Sequence, residues 1–88
     1  MVKDRRELAR VWAEEKPLIR IGKAGVNERV VEEIKRQLKR KPLIKIRVLP
    51  SALLDVTLNE LIAELVARTS CSACGRRGLV VVLSRKVV

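Results

Sequence analysis

Apolar residues recur along this 88-residue chain at two spacings, one typical of helices and one typical of strands. In the helical pattern they lie three or four residues apart, as Ile34 and Leu38 do. In the strand pattern they alternate with polar residues, as Ile44 and Ile46 do on either side of Lys45. Bounded by proline and glycine, these patterns predict helices over 4–15, 27–41 and 57–69, and strands over 17–21, 43–49, 71–75 and 79–83.

The predicted order, α-β-α-β-α-β-β, indicates an α/β fold in which three helices pack on a mixed four-stranded sheet, in one domain spanning residues 1–88. Each β-α-β step favours parallel strands joined by a right-handed crossover. The last two strands are expected to pair as an antiparallel hairpin with its tip at Gly75-Arg-Arg-Gly78. Because the strand over 79–83 is apolar throughout, we expect it inside the sheet.

Polar residues at the helix starts support these boundaries. Asn27 is a suitable N-cap for the second helix, because its side-chain oxygen can accept a hydrogen bond from a free backbone amide. Thr57 with Glu60 has the spacing of a capping box at the third helix, and Asp4 with Glu7 has the same spacing at the first.

The net charge of the chain indicates the kind of partner that it binds. The chain has 20 basic and 10 acidic residues, a formal net charge of +10. Such an excess destabilises a compact protein by self-repulsion unless a polyanion relieves it. Nucleic acid is therefore the first candidate partner and an anionic membrane surface the second, although heat-adapted proteins also carry many basic residues.

Trp12 is the only aromatic residue, so we expect a core of Val, Leu and Ile, with Trp12 anchoring the first helix in it. Strands without aromatic rings argue against an RRM-type platform for single-stranded RNA. The segment 1–10 is charged and no apolar run is long enough to span a membrane, so we expect no signal peptide and no membrane partner. We expect a cytoplasmic monomer.

The segment Gly22-Lys23-Ala24-Gly25, here the GKAG loop, joins a predicted strand to a predicted helix. Glycine lets the backbone approach a ligand closely, and the first amides of a helix form an anion site with the helix dipole. Lys23 adds a positive charge. A phosphate group suits this arrangement, although a tight turn that merely needs glycine would have the same sequence.

Basic residues surround the loop in the sequence. The segment 35–47 carries seven basic residues and no acidic residue, although some of these are expected to be solvated helix positions, since Glu32 and Arg36 form a favourable pair. As residues that bind the nucleic-acid backbone we predict Gly22, Lys23, Ala24, Gly25, Arg20, Lys45, Arg47, Arg76, Arg77, Lys39, Arg40 and Lys41.

Four segments together resemble one known family: Pro17-Leu-Ile-Arg-Ile-Gly-Lys-Ala-Gly-Val26, Val30-Val-Glu-Glu-Ile34, Leu43-Ile-Lys-Ile-Arg47 and Gly78-Leu-Val-Val-Val-Leu83. The run from Lys16 to Arg85 resembles the CRM domain (chloroplast RNA splicing and ribosome maturation), and the whole chain resembles its single-domain prokaryotic form, the YhbY-like RNA-binding proteins. The resemblance implies a fold similar to the C-terminal domain of translation initiation factor 3. It also implies RNA binding through the GKAG loop, and association with ribosomal RNA or precursors of the large ribosomal subunit.

Cys71 and Cys74 are not a feature of that resemblance. A C-x-x-C pair can hold half of a zinc site, but the chain has no second pair and no histidine to complete four ligands. We therefore expect no metal and read the pair as small, partly buried residues at a strand start. A disulfide remains open, because intracellular proteins of hyperthermophiles can contain them.

Two other classes of function compete with RNA binding. For an enzyme, the sequence offers no histidine, no paired carboxylates in a plausible site and no nucleophile beside a base, so we expect no catalysis, no cofactor and no small-molecule substrate. The alternative binding function is that of an Alba-like architectural protein on double-stranded DNA. Such proteins are small and basic with a related core, but they extend a long basic hairpin that this chain lacks.

Overall fold

A computed structural model describes residues 5–14 and 16–85. Within these residues the chain forms three α-helices, four strands and one short 3-10 helix. In chain order they are α1 (Arg5–Glu14), β1 (Ile19–Ile21), α2 (Glu28–Arg40), β2 (Leu43–Val48), the 3-10 helix (Pro50–Leu53), α3 (Leu58–Thr69), β3 (Cys71–Arg77) and β4 (Val80–Arg85). The element order and the α/β class are as predicted.

The four strands form one mixed sheet in the order β1-β2-β4-β3. The pair β1 and β2 is parallel, as the first β-α-β step predicted. The strand β4 is antiparallel to both β2 and β3 and lies between them. The second β-α-β step therefore joins strands that run in the same direction but are not neighbours. The most apolar strand takes the interior position, where both of its faces are covered.

Helices cover both faces of the sheet. On one face α2 and α3 pack through Ile34 and Leu65 against a large aliphatic cluster. On the other face α1 packs through Val11 against Leu43 and Val82. Odd positions of β4 face the first cluster and even positions face α1, because successive side chains of a strand point to opposite sides. The core of Val, Leu and Ile expected from the composition is confirmed.

The predicted helix caps are present wherever the structure describes them. The Asn27 side chain accepts from the Val30 amide at 2.9 Å. Thr57 and Glu60 form the complete capping box of α3, with the Thr57 hydroxyl accepting from the Glu60 amide at 3.1 Å. The predicted cap at Asp4 lies outside the described residues.

The hairpin differs from its prediction. Strand β3 extends to Arg77 and β4 starts at Val80, so the turn is Gly78-Leu79 and the predicted tip at 75–78 is wrong. Gly78, with φ 58°, supplies the positive φ that a tight hairpin turn requires. Gly75 lies within β3, just after a register shift between Ala73 and Gly75.

Trp12 explains why a glycine lies inside β3. A Cβ atom on Gly75 would come within 3.2 Å of both Cζ2 and Nε1 of Trp12. The indole therefore packs directly on the strand backbone, half-buried at the margin of the α1 cluster. Trp12 does anchor α1, but at the edge of the core.

The two cysteines belong to opposite faces of the sheet. Cys71 is buried in the cluster under α2 and α3, whereas Cys74 packs beside α1. Neither thiol is part of a disulfide, and burial raises the pKa of the Cys74 thiol. The open question of a disulfide between them is therefore answered by the register: their side chains lie on either side of the sheet.

Candidate nucleic-acid interface

The GKAG loop forms a tight turn at the carboxyl end of β1. The Gly25 amide donates to the Gly22 carbonyl at 2.8 Å, which closes a four-residue turn. Lys23 and Ala24 occupy the two central positions and are exposed. Gly25 has φ 68°, which a residue with a side chain adopts only at a cost. The turn therefore presents the Lys23 ammonium to solvent.

An arginine that the sequence analysis missed holds the segment between the loop and α2. Arg68, on α3, donates to the Val26 carbonyl at 2.8 Å and to the Glu28 carboxylate at 2.8 Å. It also lies 3.3 Å from Glu64, one turn earlier on its own helix. These contacts fix the position of the loop relative to α2. No local pattern signals them, because Arg68 lies 42 residues from Val26 in the chain.

Three arginines lie on one line across the four strands, with Val80 between the second and the third. Arg20 pairs in register with Arg47, Arg47 with Val80, and Val80 with Arg77. All three arginine side chains lie on the α1 face and are exposed, since α1 covers the part of this face around Leu43. Arg20, Arg47 and Arg77, here the arginine row, lie at the end of the sheet that carries the GKAG loop. Because neighbouring strands are about 5 Å apart, the arginine row spans about 15 Å.

The Lys45 side chain makes contacts within the protein, at Trp12. Its ammonium donates to the Trp12 carbonyl at 2.9 Å and lies 5.3 Å from the centre of the Trp12 ring. A cation near the last carbonyls of a helix also stabilises the helix dipole. The Arg77 guanidinium lies 4.6 Å from the centre of the same ring. Trp12 thus orders Arg77 within the arginine row, while Lys45 holds the end of α1.

The remaining predicted residues lie elsewhere. Arg76 is on the opposite face of β3, where it donates to the Asn59 side chain on α3. Lys39 and Arg40 occupy the last turn of α2 and Lys41 is its C-cap. Thirteen residues of helix place them about 20 Å from the loop. Lys39 lines a separate groove of about 1100 Å³ along α2, whose rim carries both acids and bases.

The structure offers little for metal binding or membrane insertion. Among residues 5–14 and 16–85, no three His, Cys, Asp or Glu side chains gather where they could hold a metal ion. None of the helices in this part of the chain combines the length and the apolar character of a membrane span. The prominent chemistry of the described surface is therefore its arginines and lysines.

Comparison with known proteins agrees with this architecture. The sequence model of the CRS1/YhbY (CRM) domain family matches residues 2–85. The chain is also similar to the solution structure of the hypothetical protein SAV1595 from Staphylococcus aureus, described as a candidate RNA-binding protein. The TM-score is 0.70 at 29% identity, and the match covers 94% of this chain and 84% of that chain. No curated protein sequence matches.

The likeness to the C-terminal domain of translation initiation factor 3 stays a prediction. Because the family model matches residues 2–85, nearly the whole chain, and the fold is shared with the Staphylococcus aureus protein, the chain belongs to the CRS1/YhbY (CRM) domain family.

Proposed function

We propose that this protein binds the sugar-phosphate backbone of structured RNA at the end of the sheet that carries the GKAG loop and the arginine row. The family and the candidate RNA-binding role of the Staphylococcus aureus protein support RNA as the ligand. The net charge of +10 supports a polyanion. The Alba-like alternative loses weight, because the turn between β3 and β4 is only two residues long and extends no arm.

The observation that carries this proposal is the arginine row. Like charges placed directly opposite on neighbouring strands destabilise a sheet, yet Arg20 and Arg47 are in register. An anion between the guanidinium groups converts that repulsion into attraction. Arginine also suits phosphate particularly well, because its planar group donates two parallel hydrogen bonds.

In the proposed mechanism the loop and the row act together. The Lys23 ammonium and the free amides at the start of α2 bind one phosphate. The arginines neutralise further phosphates along the same strand, and Trp12 holds Arg77 in place for this contact. Such contacts read the shape of the backbone and carry little sequence information. RNA whose fold fixes its backbone in space is therefore the favoured ligand.

We further propose that the ligand is ribosomal RNA or a precursor of the large ribosomal subunit, as the family resemblance implies, and that binding takes place in the cytoplasm. The in-cell test is ultraviolet crosslinking of the protein followed by sequencing of the attached RNA. Enrichment of precursor large-subunit RNA over other abundant RNAs supports the narrower ligand. An even distribution across cellular RNA would leave backbone binding intact and remove the ribosomal assignment.

The direct test reverses the charge of the loop. The double variant Lys23→Asp/Ala24→Asp should bind a structured RNA fragment at least about tenfold more weakly, because it replaces a phosphate contact by repulsion. Its melting temperature should change little, because both side chains are exposed at a turn. Fluorescence anisotropy and thermal unfolding measure the two effects.

The matched control is Lys39→Asp/Arg40→Gln, which lowers the net charge by the same three units at the far end of α2. We expect a smaller loss of affinity for this variant. Equal losses in the two variants would mean that net charge alone governs binding, and the loop would have no special role. If duplex DNA displaces the RNA at equal nucleotide concentration, the RNA assignment fails.

A further inference from the structure

A groove of about 300 Å³ opens on the opposite side of the GKAG loop from the arginine row. It lies between the loop, the segment that follows the 3-10 helix, and α3. This groove, here the loop groove, is lined by Lys23, Gly25, Val26, Ser51, Ala52, Leu54, Asp55, Val56, Leu61 and Glu64. The volume lies at the lower end of the range for small-ligand sites, and a single nucleoside is of that size class.

Apolar atoms make slightly more than half of the lining of the loop groove. Leu61 and Ala52, two of the residues that line it, are buried. Leu54 is 74% exposed and Val56 is 41% exposed. Among the described residues they are two of only three large apolar side chains left in solvent, the third being Leu18. Apolar side chains gathered in a concave site mark a place where an apolar surface is received.

The rim adds hydrogen-bond acceptors. Asp55 and Glu64 contribute carboxylates, which accept hydrogen bonds and donate none. Within the described residues the Asp55 side chain forms neither an ion pair nor a hydrogen bond. An unpaired carboxylate beside a phosphate-binding loop opposes RNA binding by charge repulsion. Its place is explained if the ligand brings N–H donors to it.

We propose that the loop groove receives one unpaired guanine base of the bound RNA, next to the phosphate held by the GKAG loop. This inference rests on the proposed function. A flat base covers the apolar part of the lining, and its edge meets the Asp55 carboxylate. Guanine presents two adjacent donors on its Watson–Crick edge, the N1–H and the N2 amino group, which one carboxylate accepts in parallel. Adenine, cytosine and uracil each place an acceptor beside their donor there, so one carboxylate oxygen would meet a lone pair.

The experiment compares two short RNAs that differ at one base. Heptauridylate and the same heptamer with a central guanosine are titrated against the full-length protein by fluorescence anisotropy. We expect the guanosine heptamer to bind about tenfold more tightly, within the range of one bidentate base contact. The variant Asp55→Asn should lose most of this ratio, because an amide donates as well as accepts.

Two further variants separate base recognition from charge. Glu32→Gln removes one negative charge from an exposed position of α2 outside the loop groove, and it should keep the ratio. Val56→Lys adds a positive charge but fills the loop groove, so it should bind heptauridylate more tightly while losing the guanosine preference. A preference that survives Asp55→Asn or Val56→Lys would overturn the proposed pocket.

The two proposals fail in different ways. If both heptamers bind equally well to the unaltered protein, the guanine pocket is wrong while backbone binding stands. If neither heptamer nor structured RNA binds, the proposed function itself fails, and the pocket with it. Ala24→Asp, at an exposed loop position outside the loop groove, should weaken both heptamers by a similar factor and leave their ratio in place.

Discussion

At the scale of single residues, Gly75 and Trp12 decide how α1 sits on the sheet. The indole lies on the Gly75 backbone, where any Cβ atom would come within 3.2 Å of two ring atoms. That position puts the ring beside both Lys45 and Arg77, at 5.3 and 4.6 Å from its centre. One missing side chain therefore determines where a helix docks and how one arginine of the proposed RNA surface is held.

The first prediction tests this contact. Gly75→Val should lower the free energy of unfolding by about 2 kcal/mol, since overpacking a fitted contact forces neighbouring groups to move. In a Trp12→Ala background the same change should be neutral or stabilising, because valine favours strands more than glycine does. Urea denaturation of the four proteins measures the coupling. Equal costs in both backgrounds would show that Trp12 does not rest on Gly75.

The fluorescence of Trp12 gives a second measurement of the effect of Gly75→Val. As the only aromatic residue of the chain, it reports the environment of α1 without labelling. Displacement of the ring from β3 in Gly75→Val should shift its emission to longer wavelength, because the half-buried indole becomes more exposed to water.

At the scale of elements, the start of α3 is built by side chains that meet the backbone. The Thr57 amide donates to the Glu60 carboxylate at 2.8 Å, and the Thr57 hydroxyl accepts from the Glu60 amide. The pKa of the Glu60 carboxyl group is held below its ordinary value of 4.5, mainly by the hydrogen bond from the Thr57 amide and to a lesser extent by the hydrogen bond with the Thr57 side chain. Since α3 begins right after the segment that forms one wall of the loop groove, its first turn also positions that wall.

The second prediction concerns pH. A carboxyl group whose pKa is lowered by folding stabilises the folded state above its unfolded pKa, and that contribution is lost as the pH falls through the folded value. Glu60→Ala should therefore be less stable than the unaltered protein at neutral pH, and the gap should narrow as the pH drops below 4.5. Thermal unfolding across this range measures it.

Thr57→Ala provides the matched control for the cap. It should itself cost about 1 kcal/mol of stability, the usual effect of losing an N-cap side chain. If Glu60→Ala shows the same loss of stability at every pH from neutral to acid, the carboxylate does not stabilise α3 through its charged form.

At the scale of the whole molecule, two groups of basic residues lie at different ends of the described part of the molecule. One lies at the end of the sheet with the GKAG loop: Lys23 and the arginine row. The other lies at the end of α2, where the Arg85 side chain donates to the Leu38 and Lys39 carbonyls and so closes the helix. The net charge counts both groups together with every other charged residue, whereas the proposed phosphate contacts lie at the first group alone.

The third prediction distinguishes the two groups of basic residues by how RNA affinity depends on salt concentration. If about 4 to 6 phosphates are bound, the logarithm of the RNA affinity should fall against the logarithm of salt concentration with a slope of about −3 to −5. Arg47→Gln should reduce the magnitude of that slope by about 1, whereas Arg40→Gln at the far end of α2 should leave it unchanged. A slope near zero would mean that ionic contacts do not drive binding.

Much of this fold was predictable because its signals are local. Periodicity placed the three α-helices and the four strands to within a few residues, and Asn27 and Thr57 marked their helix starts, whereas the short 3-10 helix Pro50–Leu53 was not predicted. The hairpin tip was misplaced because Gly75 has the same sequence appearance as a turn glycine. Its role depends on Trp12, which lies 63 positions earlier in the chain and reaches it only after folding.

The sequence by itself determined the elements, the charge and the GKAG turn, since each depends on residues that are neighbours in the chain. Only the tertiary structure decided which cations belong together. Strand pairing put Arg20, Arg47 and Arg77 into one row, turned Arg76 to the other face and committed Lys45 to the end of α1. Register and the alternation of side chains across a sheet set these positions, and both arise from pairing between distant segments.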